Sequence, residues 1–222
     1  MTERKALRHM TTHSLHTITC LVVACLMRGL AFAEEPRAAA VQGWTHTCAR
    51  VEMAPAFAVE PEGGHDGGLR LIIRADGREG LQGQRQKTFA VQGGRHYRFT
   101  AFRRVEQVPV PRRSAYAWIA WQNDAGKSVP TEEPRPRDVL VGWKPTAEPD
   151  FPFDRATDAA GWTEVSGTYR APAKATRAVV VLNLQWAPAG RVEWSGVSLD
   201  ETAAPAGRKV RLAAVHFRPQ GG

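Results

Sequence analysis

Chemistry in this 222-residue chain would have to come from a few groupings of side chains. Glu132 and Glu133 are adjacent acids, and Asp150, Asp154 and Asp158 follow at short intervals. A glycosidase holds two carboxylates about 5–10 Å apart across a cleft, one to deliver a proton and one to attack or to activate water. These acids fall in a stretch rich in proline and charge, so they read as solvated loop charges rather than as such a pair. Ser166 with His96 or His65 has the residue types of an acyl-transfer triad, but no serine sits in a nucleophile-elbow sequence. No Cys–His or Cys–Cys pair has zinc-ligand spacing. The run Gly63-Gly64-His65-Asp66-Gly67-Gly68 lacks the G-x-G-x-x-G register, and no helical pattern follows it, so it reads as a turn. Binding is the better-supported chemistry. A sugar ring offers a flat C–H face to an aromatic ring and hydroxyls to directional polar groups. Tyr116 and Trp118, with His96, Arg98 and Phe102 on a strand placed beside them, supply both, and Trp143 is a further candidate contact. The competing reading is a covered second layer, with residues 130–160 packed over these groups.

Positioning them falls to strands. Residues 162–170, 178–186 and 192–199 are apolar runs separated by Ala171-Pro172 and by Ala187-Pro188-Ala189-Gly190. In the middle run Val180, Leu182, Leu184 and Trp186 share one side of a pleat, and Val179, Val181, Asn183 and Gln185 the other. Further strands are expected near Trp44 and over 57–59, 69–73, 82–89, 95–103 and 114–122. Tyr97, Phe99 and Ala101 alternate with His96, Arg98, Thr100 and Phe102. Ala115, Ala117, Ile119 and Trp121 alternate with Tyr116, Trp118 and Ala120. Trp121, Trp162, Trp186 and Trp194 are expected in the core. No long stretch has a 3.6-residue period, so the fold class is all-β, an antiparallel two-sheet sandwich. Residues 130–160 form a Pro-rich insertion carrying Trp143, Phe151 and Phe153, a candidate binding loop.

The ends read differently. Arg4, Lys5 and Arg8 precede an apolar run over 17–27, and Ala31-Phe32-Ala33 offers a small-x-small cleavage site. Residues 1–33 are therefore expected to be a signal peptide, which implies export to the periplasm or the extracellular space. Lipidation at Cys25, within Val22-Val23-Ala24-Cys25, is the alternative. The run is short of the ~20 residues that span a bilayer, so no transmembrane anchor is expected. With Cys20 and Cys25 in the leader, Cys48 is left without a disulfide partner. A linker over 34–43 leads to the sandwich over 44–202, and a second linker over 203–208 leads to an apolar strand within 209–222. The net charge of +8 sits partly in the leader, and the rest is spread as single arginines, a pattern that argues against specific nucleic-acid binding.

Four pieces occur in order: Gly94-x-x-Tyr97-Arg98-Phe99-x-Ala101-Phe102; Ala117-x-Ile119-x-Trp121-x-x-Asp124-x-Gly126; Trp162-x-x-Val165-x-x-x-Tyr169-x-Ala171-Pro172; and Val192-x-Trp194-x-x-Val197-x-Leu199. Together, over roughly residues 41–202, they resemble carbohydrate-binding modules of the cellulose-binding, galactose-binding-like jelly-roll class. That resemblance implies a sandwich able to hold a glycan or polysaccharide, without catalysis. It also implies a structural calcium near an Asp before the last strand, a place taken here by Ser195-Gly196. Lys209-Val210-Arg211-Leu212-Ala213-Ala214-Val215-His216-Phe217 resembles the opening strand of carbon–nitrogen (nitrilase) hydrolases. Their Glu, Lys and Cys do not follow in this chain, so the resemblance implies an accessory module for a downstream catalytic domain. A purely structural sandwich that shields such a domain, without binding glycan, is the alternative.

Overall fold

The structure is a computed structural model that describes residues 41–132, 145–207 and 213. The leader, residues 34–40 of the first linker, Glu133, Trp143 and the 209–222 strand lie outside the described residues. The strands are β1 (Thr45–Thr47), β2 (Ala56–Glu60), β3 (Arg70–Arg74), β4 (Gln82–Ala90), β5 (His96–Glu106), β6 (Ala117–Gln122), β7 (Phe153–Thr157), β8 (Thr163–Arg170), β9 (Arg177–Gln185) and β10 (Arg191–Thr202). A single helical turn, α1 (Pro111–Ser114), opens on a proline whose fixed φ suits a first helical position.

The strands pair antiparallel in two sheets, a four-stranded one ordered β1-β4-β9-β6 and a six-stranded one ordered β2-β3-β10-β5-β8-β7. The chain changes sheet at every step except between β2 and β3 and between β7 and β8. The result is the jelly-roll sandwich that the alternating sequence predicts. Ile119, Trp121, Val180, Leu182 and Leu184 enter the core from one sheet, and Leu71, Ile73, Phe99, Val165, Val192 and Trp194 from the other; all are buried. Each large side chain so buried stabilises the fold by roughly 1.5–3 kcal/mol. Gly83, on β4, admits close approach, since a Cβ there would lie 2.5 Å from Pro55 and 2.6 Å from Phe57.

Two expectations need correction. Trp186 is not core: β9 ends at Gln185, and Trp186 is 60% exposed with φ 52°. A left-handed backbone at this residue swings its ring off the pleat as the chain enters the turn closed by Gly190 N–H to Ala187 O. Trp162 is buried as expected, with the Arg104 guanidinium 4.6 Å from its ring centroid. The insertion, finally, is not all loop. Phe153–Thr157 forms β7 at the sheet edge, and Asp150 bridges Ile119 of β6. The polar, short sequence of β7 gives no alternation by which to find it.

Candidate functional site: an aromatic, arginine-bearing edge

The residues expected to form one platform do not meet. Tyr116 and Trp118 belong to the β6 side of the four-stranded sheet, and His96, Arg98 and Phe102 to β5 of the six-stranded sheet. Both sets point outward, so they lie on opposite faces of the molecule. Alternation tells which residues share a face of one strand, but not which sheet the strand joins.

The six-stranded face is occupied by its own loop. His65, from the glycine-rich run, stacks on Phe102 with centroids 3.5 Å apart and planes 2° from parallel. Its backbone N–H donates to Ser195 Oγ at 3.2 Å, and its Nε2 lies 3.4 Å from Asp158 Oδ2. The loop lies so close that a Cβ on Gly64 would stand 2.2 Å from Ser195 Oγ. Asp66 closes the turn by accepting the Gly68 N–H, which holds its carboxyl below the usual carboxylate range. Beside the loop, the Glu193 carboxylate is 2% exposed and lies among Arg70 (3.4 Å), Arg104 (2.7 Å) and Arg191 (2.5 Å). Arg98 pairs with Glu164 at 3.3 Å. Most of the charge on this face is spent internally, with Arg74 exposed and outside these pairs.

The outer face of the four-stranded sheet carries Gln82, Gln84, Gln86 and Thr88 on β4 and Trp118 on β6, while on the central β9 Val181, Asn183 and Gln185 share that side but are buried. The Tyr116 carbonyl accepts the Asn183 N–H, which carries the ladder one residue past β6 and puts the Tyr116 ring on this same face. There the face runs into a pocket of ≈ 340 Å³ lined by Arg112, Arg113, Tyr116, Ala117, Phe151, Pro152, Gln185 and Trp186. Phe151, from the described part of the insertion, reaches the Tyr116 ring at 6.1 Å and stays 50% exposed. The Arg113 guanidinium lies 4.9 Å from the Trp186 centroid, and that of Arg112 lies 5.0 Å from the centroid of Phe153. Gln185 Nε2–H donates to the Arg113 carbonyl at 3.4 Å. Burial pushes the Tyr116 hydroxyl pKa up, and its hydrogen bond with Gln185 opposes that shift.

Of the candidate residues, then, only Tyr116 lines this pocket, with Trp118 two residues along the same face. Arg112, Arg113, Phe151, Gln185 and Trp186 were not singled out as contacts. The Pro-interrupted basic loop before β6 and the aromatics of the insertion were visible in the sequence, but nothing local brings them to Trp186.

The acids are committed elsewhere. A cavity of ≈ 510 Å³ includes Trp121, Glu132, Glu148, Asp150 and Arg170 in its lining. Glu132 takes the Ala173 N–H and pairs with Arg170 at 2.8 Å, and these two contacts draw its pKa down. Asp150 Oδ2 accepts the Trp121 indole N–H at 2.7 Å, and Asp154 pairs with the buried Arg103 at 2.8 Å. Asp158 accepts the N–H groups of Ala160 and Trp162. Each of these carboxylates anchors structure. Ser166 is buried and receives Arg155 Nε–H at 3.3 Å. Cys48 is free and half-buried. Among the described residues no three His, Cys, Asp or Glu side chains gather as a metal site, and Ser195-Gly196 lies in the β10 bulge under Asp66. Among the described residues no helix is long and apolar enough to cross a membrane.

No family model and no curated protein matches the chain. Solved structures do. An enzymatically active domain of tailspike protein 4 from bacteriophage CBA120 is similar at a TM-score of 0.51 and 12% identity, over 72% of this chain and 19% of that one. The CBM22-1 xylan-binding domain of Paenibacillus barcinonensis Xyn10C is similar at a TM-score of 0.44 and 10% identity, over 76% and 92%. A family 16 carbohydrate-binding module is similar at 0.43 and 12%, over 65% and 85%. The chain thus spans about a fifth of the tailspike domain. At these identities the likeness is one of fold, that of the two-sheet antiparallel sandwich.

Proposed function

We propose that this chain is an exported, non-catalytic glycan-binding module whose site is the edge formed by Tyr116, Phe151, Gln185 and Trp186, continued by Trp118 on the sheet face. The observation that carries the proposal is Trp186. A bulky residue in the left-handed region costs on the order of 1–3 kcal/mol, and such strain concentrates at binding sites. Here it puts an indole into solvent beside two further aromatic rings and an amide, the combination that a sugar's C–H face and hydroxyls require. The xylan named for the Paenibacillus domain is consistent with a polysaccharide ligand. Export rests on the leader-like residues 1–33. Placement beside a carbon–nitrogen hydrolase rests on the tail resemblance over 209–217.

The test is affinity electrophoresis of the full chain through gels containing soluble polysaccharides. Retardation that disappears in Trp186→Ala, with an unchanged melting temperature, supports the site. Retardation by no polysaccharide would leave the structural sandwich as the better reading.

A further inference from the structure

Resting on the reading of this edge as a glycan site, we infer that the sugar it selects is acidic, a uronate polymer whose carboxylates are received by Arg112 and Arg113. Most arginines on the two sheets are neutralised: Arg103 by Asp154, Arg98 by Glu164, Arg170 by Glu132, and Arg70, Arg104 and Arg191 by Glu193. Arg112 and Arg113 are exposed, and neither has a carboxylate within ion-pair distance among the described residues. The nearest acids in sequence to the pocket's Phe151 are Asp150, which holds the Trp121 indole, Asp154, which holds Arg103, and Glu148, which lines the other cavity. Each guanidinium stands instead against an aromatic ring, Arg112 against Phe153 and Arg113 against Trp186. Such a ring restrains a guanidinium without neutralising it.

The consequence is chemical selectivity. A neutral sugar offers the two cations only hydroxyls. A uronate offers planar carboxylates, which accept two parallel N–H bonds from one guanidinium fork. Because the arginines reach different rings, they receive charge at two points along a ligand, which favours a repeating acid over a single one. Tyr116 and Gln185 supply hydroxyl partners in the same pocket. A nucleic-acid strand carries negative charge too. The amides and hydroxyls of the adjoining sheet face match sugar hydroxyls better than a phosphate backbone, which calls for a run of cations.

The experiment uses the full chain and compares polygalacturonate with its fully methyl-esterified form, the same backbone without charge. Unsubstituted xylan and oligo-dT are run alongside. Polygalacturonate is expected to bind at least tenfold more tightly than its ester, and Arg112→Gln and Arg113→Gln each to weaken it roughly tenfold. Raising salt weakens the acid-polymer complex only. Equal binding of the ester or of xylan, undisturbed by either arginine variant, overturns the acidic selectivity and leaves the glycan site standing. Binding of no polysaccharide removes both readings, and tighter binding of oligo-dT assigns the arginines to phosphate. Should the variants fail to fold, the contrast between acid and ester on the native chain still decides.

Discussion

The outward face of the six-stranded sheet and the edge that continues the four-stranded sheet draw on the same residue types: aromatic rings, arginines and small polar groups. They end in opposite states. On the six-stranded face Phe102 is roofed by His65, the arginines surround Glu193 or meet Glu164, and a glycine-rich loop lies against the β10 bulge. At the other edge Phe151, Phe153 and Trp186 are 50%, 51% and 60% exposed, and two arginines have no acid beside them. What separates the two is neither hydrophobicity nor charge count but whether each group's partner comes from the chain itself. A face whose partners are internal contributes stability; one whose partners are absent is available to a ligand.

The largest effect that would break this comparison is Glu193→Ala. It leaves three guanidiniums around a vacated site, and removing one partner of a buried network costs about 3–5 kcal/mol, discounted somewhat because the arginines are partly exposed. Thermal melting should fall steeply, while glycan retardation below the melting point persists. Trp186→Gly is expected to do the reverse. Binding should fall by about 2 kcal/mol, as for a central aromatic contact, and stability should hold or rise by up to about 1 kcal/mol as the left-handed strain is released. A melting temperature that drops instead would return Trp186 to a structural role.

A smaller effect sharpens the division. His65→Ala removes the ring stacked on Phe102 and should cost about 1 kcal/mol in denaturant unfolding, with unchanged glycan affinity. Arg98→Ala should alter neither. If either variant weakens binding, the six-stranded face is the site after all. The smallest effect is in pH. His46 stacks on Phe57 at 4.4 Å, and burial, with help from Arg85, pushes its pKa below 6.5. The unfolded chain then binds the proton more readily, so stability is complete above pH 6.5 and declines as the pH falls through that value. His46→Phe should flatten melting temperature between pH 7.5 and about pH 5.5. Asp66, whose pKa is lowered by the Gly68 N–H, adds stability above the ordinary carboxylate value of 3.8 that is lost as pH falls through its own lower pKa.

Much of the scaffold was legible because alternation is a local property. Tyr97, Phe99 and Ala101 against His96, Arg98 and Phe102 follows directly from the two-residue period, and the structure places the first set inside. The candidate site was legible only at Tyr116 and Trp118. Trp186 follows Val180, Leu182 and Leu184 in period and reads as core; only its backbone angle, set by the turn after Gln185, overrides that reading. Arg112 and Phe151 carry no pattern at all, because their value comes from meeting across the β6 edge.

Sequence by itself therefore determined most of the strands, the inward faces of the strongly alternating ones and the all-β class, since each depends on residues two apart. The tertiary structure decided which sheet each strand joined, and through that which outward faces coincide. That outcome depends on pairings such as Gln82 with Gln185 and Phe102 with Ser195, about a hundred residues apart, which no local period encodes. It also decided which arginines found an acid and which, Arg112 and Arg113 among them, did not.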